Sequence, residues 1–281
     1  MLRSRVEALL REKKLDRTLI PGGMPSHIPH EDREARQLTS GWTSVDRVLG
    51  GGFPRGECSE IVGSSSSGRT ALVTTLLAEA TRRGEIVALV DALDRFDPRA
   101  AVALSLDLTR VLWVRGTPMS PQALSQPPRR RGRGARSQGS QGVRGKHLRW
   151  EETDEDAAEL LDRVVDRALK SFGLIAQAGG FGVVALDFAD VPMLALRRLP
   201  FTTWFRLQRL IEGRDTVGIV LAPEPVARSA RGVTVRLGAE ATRVIWTGGS
   251  HGARVLTGFA LQPRAQAARR LGDALRAAAS A

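Results

Sequence analysis

Residues 61–70 read Ile61-Val62-Gly63-Ser64-Ser65-Ser66-Ser67-Gly68-Arg69-Thr70, and this stretch decides the fold. It matches the phosphate-loop pattern G-x-x-x-x-G-K-[ST] at Gly63, Gly68 and Thr70, and departs from it at Arg69. The pattern has a mechanism. Its glycines let successive backbone N–H groups turn toward phosphates, its lysine reaches the β- and γ-phosphates, and its hydroxyl holds Mg²⁺. The flanks agree with it. Residues 57–62 predict a short buried strand, and residues 71–82 a helix whose N-terminus faces the loop. A ligand-free reading stands beside the functional one: Ser64, Ser65, Ser66 and Ser67 can close a turn on their own.

Outward from the loop, apolar β-runs alternate with helical segments. Strands are predicted at 85–91, 111–115, 181–187 and 216–222, with helices at 98–105, 154–172 and 203–213. That order implies an α/β fold of parallel strands joined by crossover helices, with helices on both faces. On the helix at 203–213, Trp204 and Phe205 are expected to be core positions. The rhythm changes near the end. Runs at 233–237, 242–247 and 254–261 lie close together with glycine turns, as antiparallel strands added at a sheet edge do. The core is expected to span 38–262. A helix should follow it at 263–281, with Leu271 and Leu275 on an apolar stripe suited to a protein partner.

Before the core, residues 1–17 place Leu2, Val6, Leu9 and Leu10 at helical spacing. Such a helix either packs on its own body or docks on a neighbouring subunit. A tether at 18–37 contains Pro21, Pro25 and Pro29 and opposes regular structure. No metal-ligand spacing surrounds its His27 and His30. No apolar leader and no membrane-length run occur, so the expectation is a cytoplasmic protein without a membrane partner. The one cysteine, Cys58, falls in the first predicted strand and reads as a buried, inert thiol.

The net charge of +12 is concentrated in one place. Residues 122–149 hold Arg129, Arg130, Arg131, Arg133, Arg136, Arg144, Lys146 and Arg149 and no acid, which leaves about +4 for everything else. This Arg/Gly/Ser/Gln segment has too little apolar surface to offset its ordering entropy. It is expected to be a disordered insert giving salt-sensitive, sequence-independent contact with DNA. An acidic run, Glu151, Glu152, Asp154, Glu155 and Asp156, closes it at the start of the next helix.

Several of these segments together resemble the RecA-type ATPase core. The resemblance rests on Leu38-Thr39-Ser40-Gly41, Leu49-Gly50-Gly51-Gly52, Pro54-Arg55-Gly56 and the run Glu60-Ile61-Val62-Gly63 into Gly68-Arg69-Thr70. Val90-Asp91-Ala92 with Asp97-Pro98 is similar to the RecA second-strand segment. Val183-Val184-Ala185-Leu186-Asp187 is similar to its Walker B strand. Within that superfamily the basic insert, Arg69 and Leu112-Trp113-Val114-Arg115 look most like ImuA, the RecA-like accessory proteins of the bacterial SOS mutagenesis cassette. That resemblance implies a nucleoid-associated adaptor of translesion synthesis. Its implied partners are DNA, RecA and an error-prone polymerase complex with an inactive Y-family polymerase homologue.

Measured against the same family, three catalytic features are replaced. The water-positioning glutamate, two residues after the position of Asp91, is Leu93; the polar γ-phosphate switch is Ala222-Pro223; and the loop lysine is Arg69. The guanidinium fork is not equivalent to a compact ammonium in a tight phosphate cradle. Thr70 and Asp187 keep the metal-side residue types. The expectation is therefore a vestigial or weak nucleotide site at Gly63–Thr70 and Asp187, with ATP and Mg²⁺ its only candidate cofactors and no catalytic residue. Two alternatives stay open. One is a DNA-stimulated ATPase or recombinase in which Arg69 and Asp94 substitute for the usual groups. The other is a RecA-like regulator of cell division.

Overall fold

The computed structural model describes residues 36–125, 154–227, 232–238, 242–248, 255–261 and 263–267. The expected helix at 1–17, the tether up to residue 35, the eight cations from Arg129 to Arg149, and Leu271 and Leu275 lie outside the described residues.

In chain order, β1 (Gln37–Leu38), α1 (Thr43–Leu49) and β2 (Phe53–Pro54) lead into β3 (Cys58–Gly63) and α2 (Arg69–Arg82). Then come β4 (Val87–Asp91), α3 (Pro98–Ala103), β5 (Val111–Arg115), α4 (Pro121–Ser125) and α5 (Asp154–Ala178). β6 (Val183–Asp187), α6 (Met193–Leu196), α7 (Phe201–Ile211), β7 (Val217–Ala222) and β8 (Val233–Leu237) follow. β9 (Thr242–Thr247), β10 (Val255–Leu261) and β11 (Arg264–Ala267) complete the described chain.

Seven strands form one sheet in the order β11-β8-β3-β7-β6-β4-β5, parallel except for β11. β6 shows why the run is parallel and central. Val183, Val184, Ala185 and Leu186 are all fully buried, and successive side chains of a strand point to opposite faces. Val184 and Leu186 join a core with Phe172 of α5 and Trp204 of α7. Val183 and Ala185 join a second core with Leu72, Leu76 and Leu77 of α2. Strands covered on both faces read as continuous apolar runs, which is the pattern the sequence carries.

The strand that bears the loop is fastened from below and from the side. On α7, Gln208 accepts the Cys58 N–H at 2.7 Å and donates to the Gly56 carbonyl at 3.3 Å. Cys58 is buried as expected, and burial, with Glu60 nearby, pushes its thiol pKa up to about 12. Glu60 is 1% exposed and fully used. Its Oε1 accepts from the Val226 and Ala227 N–H groups at 2.7 and 2.6 Å, and its Oε2 from the Thr234 hydroxyl at 2.9 Å.

Several expectations need correction. β8 is not an antiparallel edge strand: it runs parallel to β3, on the side away from β7. From the middle of β3, Glu60 holds the β7–β8 connection and the Thr234 hydroxyl of β8, which favours that placement. β9 and β10 pair with each other in a separate two-stranded sheet. The antiparallel edge is β11, where a helix was expected to have begun. The open edge of β8 offers unpaired backbone groups, and pairing with them overrides the helix preference of Ala265 and Ala267. The core starts at Gln37 rather than Leu38, because β1 pairs with β2. The insert starts later than residue 122, since α4 packs Ala123 and Leu124 against the core. Phe205 is 45% exposed, whereas Trp204 is buried, as one side of an amphipathic helix requires. Among the described residues, no helix is long and apolar enough to cross a membrane.

Candidate nucleotide site

The loop sits where the sequence placed it, between β3 and α2, at the carboxyl edge of a parallel sheet. Ligands of open α/β sheets bind at that edge. Ser64 to Ser66 are exposed, and the Ser67 N–H closes a turn onto the Ser64 carbonyl at 3.2 Å. Two positions demand glycine. Gly68 has φ 90°, and a Cβ there would lie 3.2 Å from the Trp42 ring; a Cβ on Gly63 would fall 2.3 Å from the Leu237 carbonyl oxygen. α2 begins at Gly68 without a side-chain cap and without an acid in its first turn. The Ser67 hydroxyl is buried and has no hydrogen-bond partner among the described residues. Uncapped first-turn N–H groups and an unpaired hydroxyl are donors that suit a phosphate.

Arg69 does not extend toward such a ligand. Its Nη1 donates to the Gly63 carbonyl, at the root of the loop, and its Nη2 donates to Asp190 Oδ1 at 3.1 Å. The Arg69 side chain is 7% exposed, so the cation is folded into the protein and neutralised there. Thr70 is exposed at the start of α2. Asp187 ends β6 in register with Asp91 of β4, and its carboxylate accepts the Ala189 N–H at 2.8 Å. Burial is the main reason that its pKa is pushed up to about 6. The Ala189 N–H and Arg69 oppose the rise, and the charges of Asp91 and Asp190 add to it.

The position of the water-activating group is closed to that chemistry. Leu93 is 3% exposed and packs in the core shared with α5 and α7. The turn that puts it there is fixed by Asp91, whose carboxylate accepts the Arg95 N–H at 2.9 Å, the Phe96 N–H at 2.8 Å and the Trp113 indole N–H at 3.3 Å. Asp94 has φ 57° and is held bidentately by Arg115, at 2.9 and 2.7 Å. Arg115 also holds its carboxyl below the usual aspartate range. Asp94 is therefore committed to an ion pair at the sheet edge, not to the loop. At the end of β7, Ala222 is buried. The retained residues fit a phosphate and its metal; the replaced ones do not fit hydrolysis. The partner of Arg69 was missed in the sequence, because Asp190 lies 121 residues away and no spacing rule connects them.

This fold and this loop define a RecA-like α/β core of the phosphate-loop type. Comparison with known proteins gives the same relationship: the RecA N-terminal domain family matches residues 13–125. Protein RecA of Chlorobaculum parvum is 45% identical over 78 residues, which are 27% of this chain and 22% of that protein. Protein RecA of Nostoc punctiforme is 44% identical over 75 residues, 27% and 21% of the two chains. Protein RecA of Arthrospira platensis is 44% identical over 75 residues, 27% and 20%. The chain spans about a fifth of the length of the curated relatives it matches.

Proposed function

We propose that this chain is a non-catalytic RecA-like accessory protein of SOS-induced translesion synthesis. It acts as an adaptor between DNA, RecA and an error-prone polymerase complex that includes an inactive Y-family polymerase homologue. The observation that carries the non-catalytic part is the commitment of Leu93 to the core and of Arg69 to Gly63 and Asp190, within an intact phosphate-loop scaffold. The assignment to translesion synthesis rests on the sequence resemblance carried by the basic insert, Arg69 and Leu112-Trp113-Val114-Arg115. In this reading the cations from Arg129 to Arg149 touch DNA phosphates. The segment with Leu271 and Leu275 meets the polymerase complex, and the site of action is the nucleoid.

The test is co-elution of the full chain with the error-prone polymerase complex and with RecA on single-stranded DNA, each with and without ATP and Mg²⁺. Nucleotide-independent association with the polymerase complex supports the adaptor. No association, together with ATP-dependent filaments of this chain alone on single-stranded DNA, overturns it. That second pattern belongs to the other reading, a DNA-stimulated ATPase, which the exposed Thr70 and the retained Asp187 favour.

A further inference from the structure

At the opposite edge of the sheet from β11, a cleft of about 430 Å³ opens at the carboxyl ends of β4 and β5, with α5 as its outer wall. Its charged lining residues are Asp91, Arg115, Arg167 and Lys170. Asp91 spends its carboxylate oxygens on the Arg95, Phe96 and Trp113 N–H groups, so the side-chain donors left to face a ligand are those of the three cations.

The three cations differ in how they are held. Arg115 is fixed: its Nε and Nη2 grip Asp94, and its Cζ lies 4.7 Å from the centre of the Trp113 ring. Lys170 pairs with Asp166 at 2.7 Å through one of its three donors, and its side chain is 72% exposed. Arg167 is exposed and has no ion-pair or hydrogen-bond partner among the described residues.

Cations also recur along α5. Arg163, Arg167 and Lys170 follow one another at helical spacing as a single basic stripe about 10 Å long. Asp166 lies beside this stripe and pairs with Lys170, while Asp162 meets Arg198 of the α6–α7 connection at 3.6 Å. A line of cations beside a cleft matches a row of phosphates better than a single one, and it offers no rigid frame for reading base edges. The connection from β5 to α5, whose first residues Gly116 and Thr117 line the cleft, also carries the eight cations of residues 122–149 in the sequence.

We infer that the β5–α5 cleft binds the phosphodiester backbone of single-stranded nucleic acid, with Arg167 and Lys170 contacting phosphates and Arg115 as the fixed cation between them. This inference rests on the DNA contact proposed above and gives it a site within the folded core. The experiment titrates the full chain against a fluorescently labelled oligothymidylate over a range of salt concentrations. Arg167→Ala combined with Lys170→Ala is compared with Arg198→Ala, a cation on the other side of α5. All three are exposed, and matching thermal transitions establish that each variant is folded. The double variant should lose about tenfold in affinity near 0.1 M salt and lower the slope of log affinity against log salt by about 1.4, two phosphate contacts at about 0.7 each. Arg198→Ala should leave both unchanged, and thymidine monophosphate at equal phosphate concentration should not displace the strand. Unchanged binding in the double variant, an equal loss in Arg198→Ala, or displacement by the mononucleotide overturns the cleft alone. Failure of the wild-type chain to bind the strand overturns the proposed DNA contact as well.

Discussion

Arg69 and Asp190 form an ion pair beside the phosphate loop, 3.1 Å from Nη2 to Oδ1, and the same guanidinium bonds the Gly63 carbonyl. The β6–α6 connection thus supplies the counter-charge to Arg69. A phosphate entering the loop must compete with a carboxylate already in place. Because Asp190 is half exposed, the competition is modest, on the order of 1 kcal/mol. Asp190→Ala should therefore tighten ATP·Mg²⁺ binding by about fivefold, measured by calorimetric titration. Equal or weaker binding in the variant would show that the pair does not guard the loop.

Leu93 marks the point where catalysis and packing exclude each other. Leu93→Ala should cost about 2–4 kcal/mol in urea unfolding, as expected of a truncated core leucine. Leu93→Glu, which restores the residue type of the RecA-type base, should destabilise at least as much, because it buries an unpaired carboxylate. A Leu93→Glu protein that matches the wild type in stability would place the side chain toward the loop.

Much of this was legible in the sequence, and the limits have physical causes. β6 was predicted within two residues because a strand buried on both faces leaves an uninterrupted apolar run; β5, predicted with the observed boundaries, is a partly exposed edge strand that its Val111-Leu112-Trp113-Val114 run still marks. Leu93 was legible by residue type alone. The direction of β8 was not, since a run such as Val233–Leu237 reads the same whether its neighbour is parallel or antiparallel. β11 was hidden by alanines that favour a helix until the edge of β8 supplies a partner. The pairings Arg69–Asp190 and Asp94–Arg115 join residues brought together only by the fold.

Glu60, in the middle of the loop-bearing strand, ties it to the β7–β8 connection and to β8 through three donors. Glu60→Ala strands the Val226 and Ala227 N–H groups and the Thr234 hydroxyl, and should cost about 3 kcal/mol or more by chemical denaturation. Glu60→Gln keeps one acceptor oxygen and should lose less. A loss below about 1 kcal/mol for the alanine variant would mean that water replaces the carboxylate.

Asp187 gives the fold a pH signature. Its carboxyl is raised in the folded state to about 6, so the native protein holds that proton more tightly than the unfolded chain. The resulting stabilisation is complete below about pH 4 and is lost as pH rises through about 6, a change on the order of 2 kcal/mol between pH 4 and pH 7. Asp187→Asn keeps an acceptor for the Ala189 N–H and removes the titration. Relative to wild type it should gain stability between pH 4 and pH 7 in denaturant titrations. A constant difference across that range would contradict the raised carboxyl.

The most direct test of the central claim is steady-state phosphate release by the full chain with ATP and Mg²⁺, with and without single-stranded DNA. The account predicts release no greater than that of the Asp187→Ala variant under either condition. DNA-stimulated turnover that Asp187→Ala abolishes would contradict it.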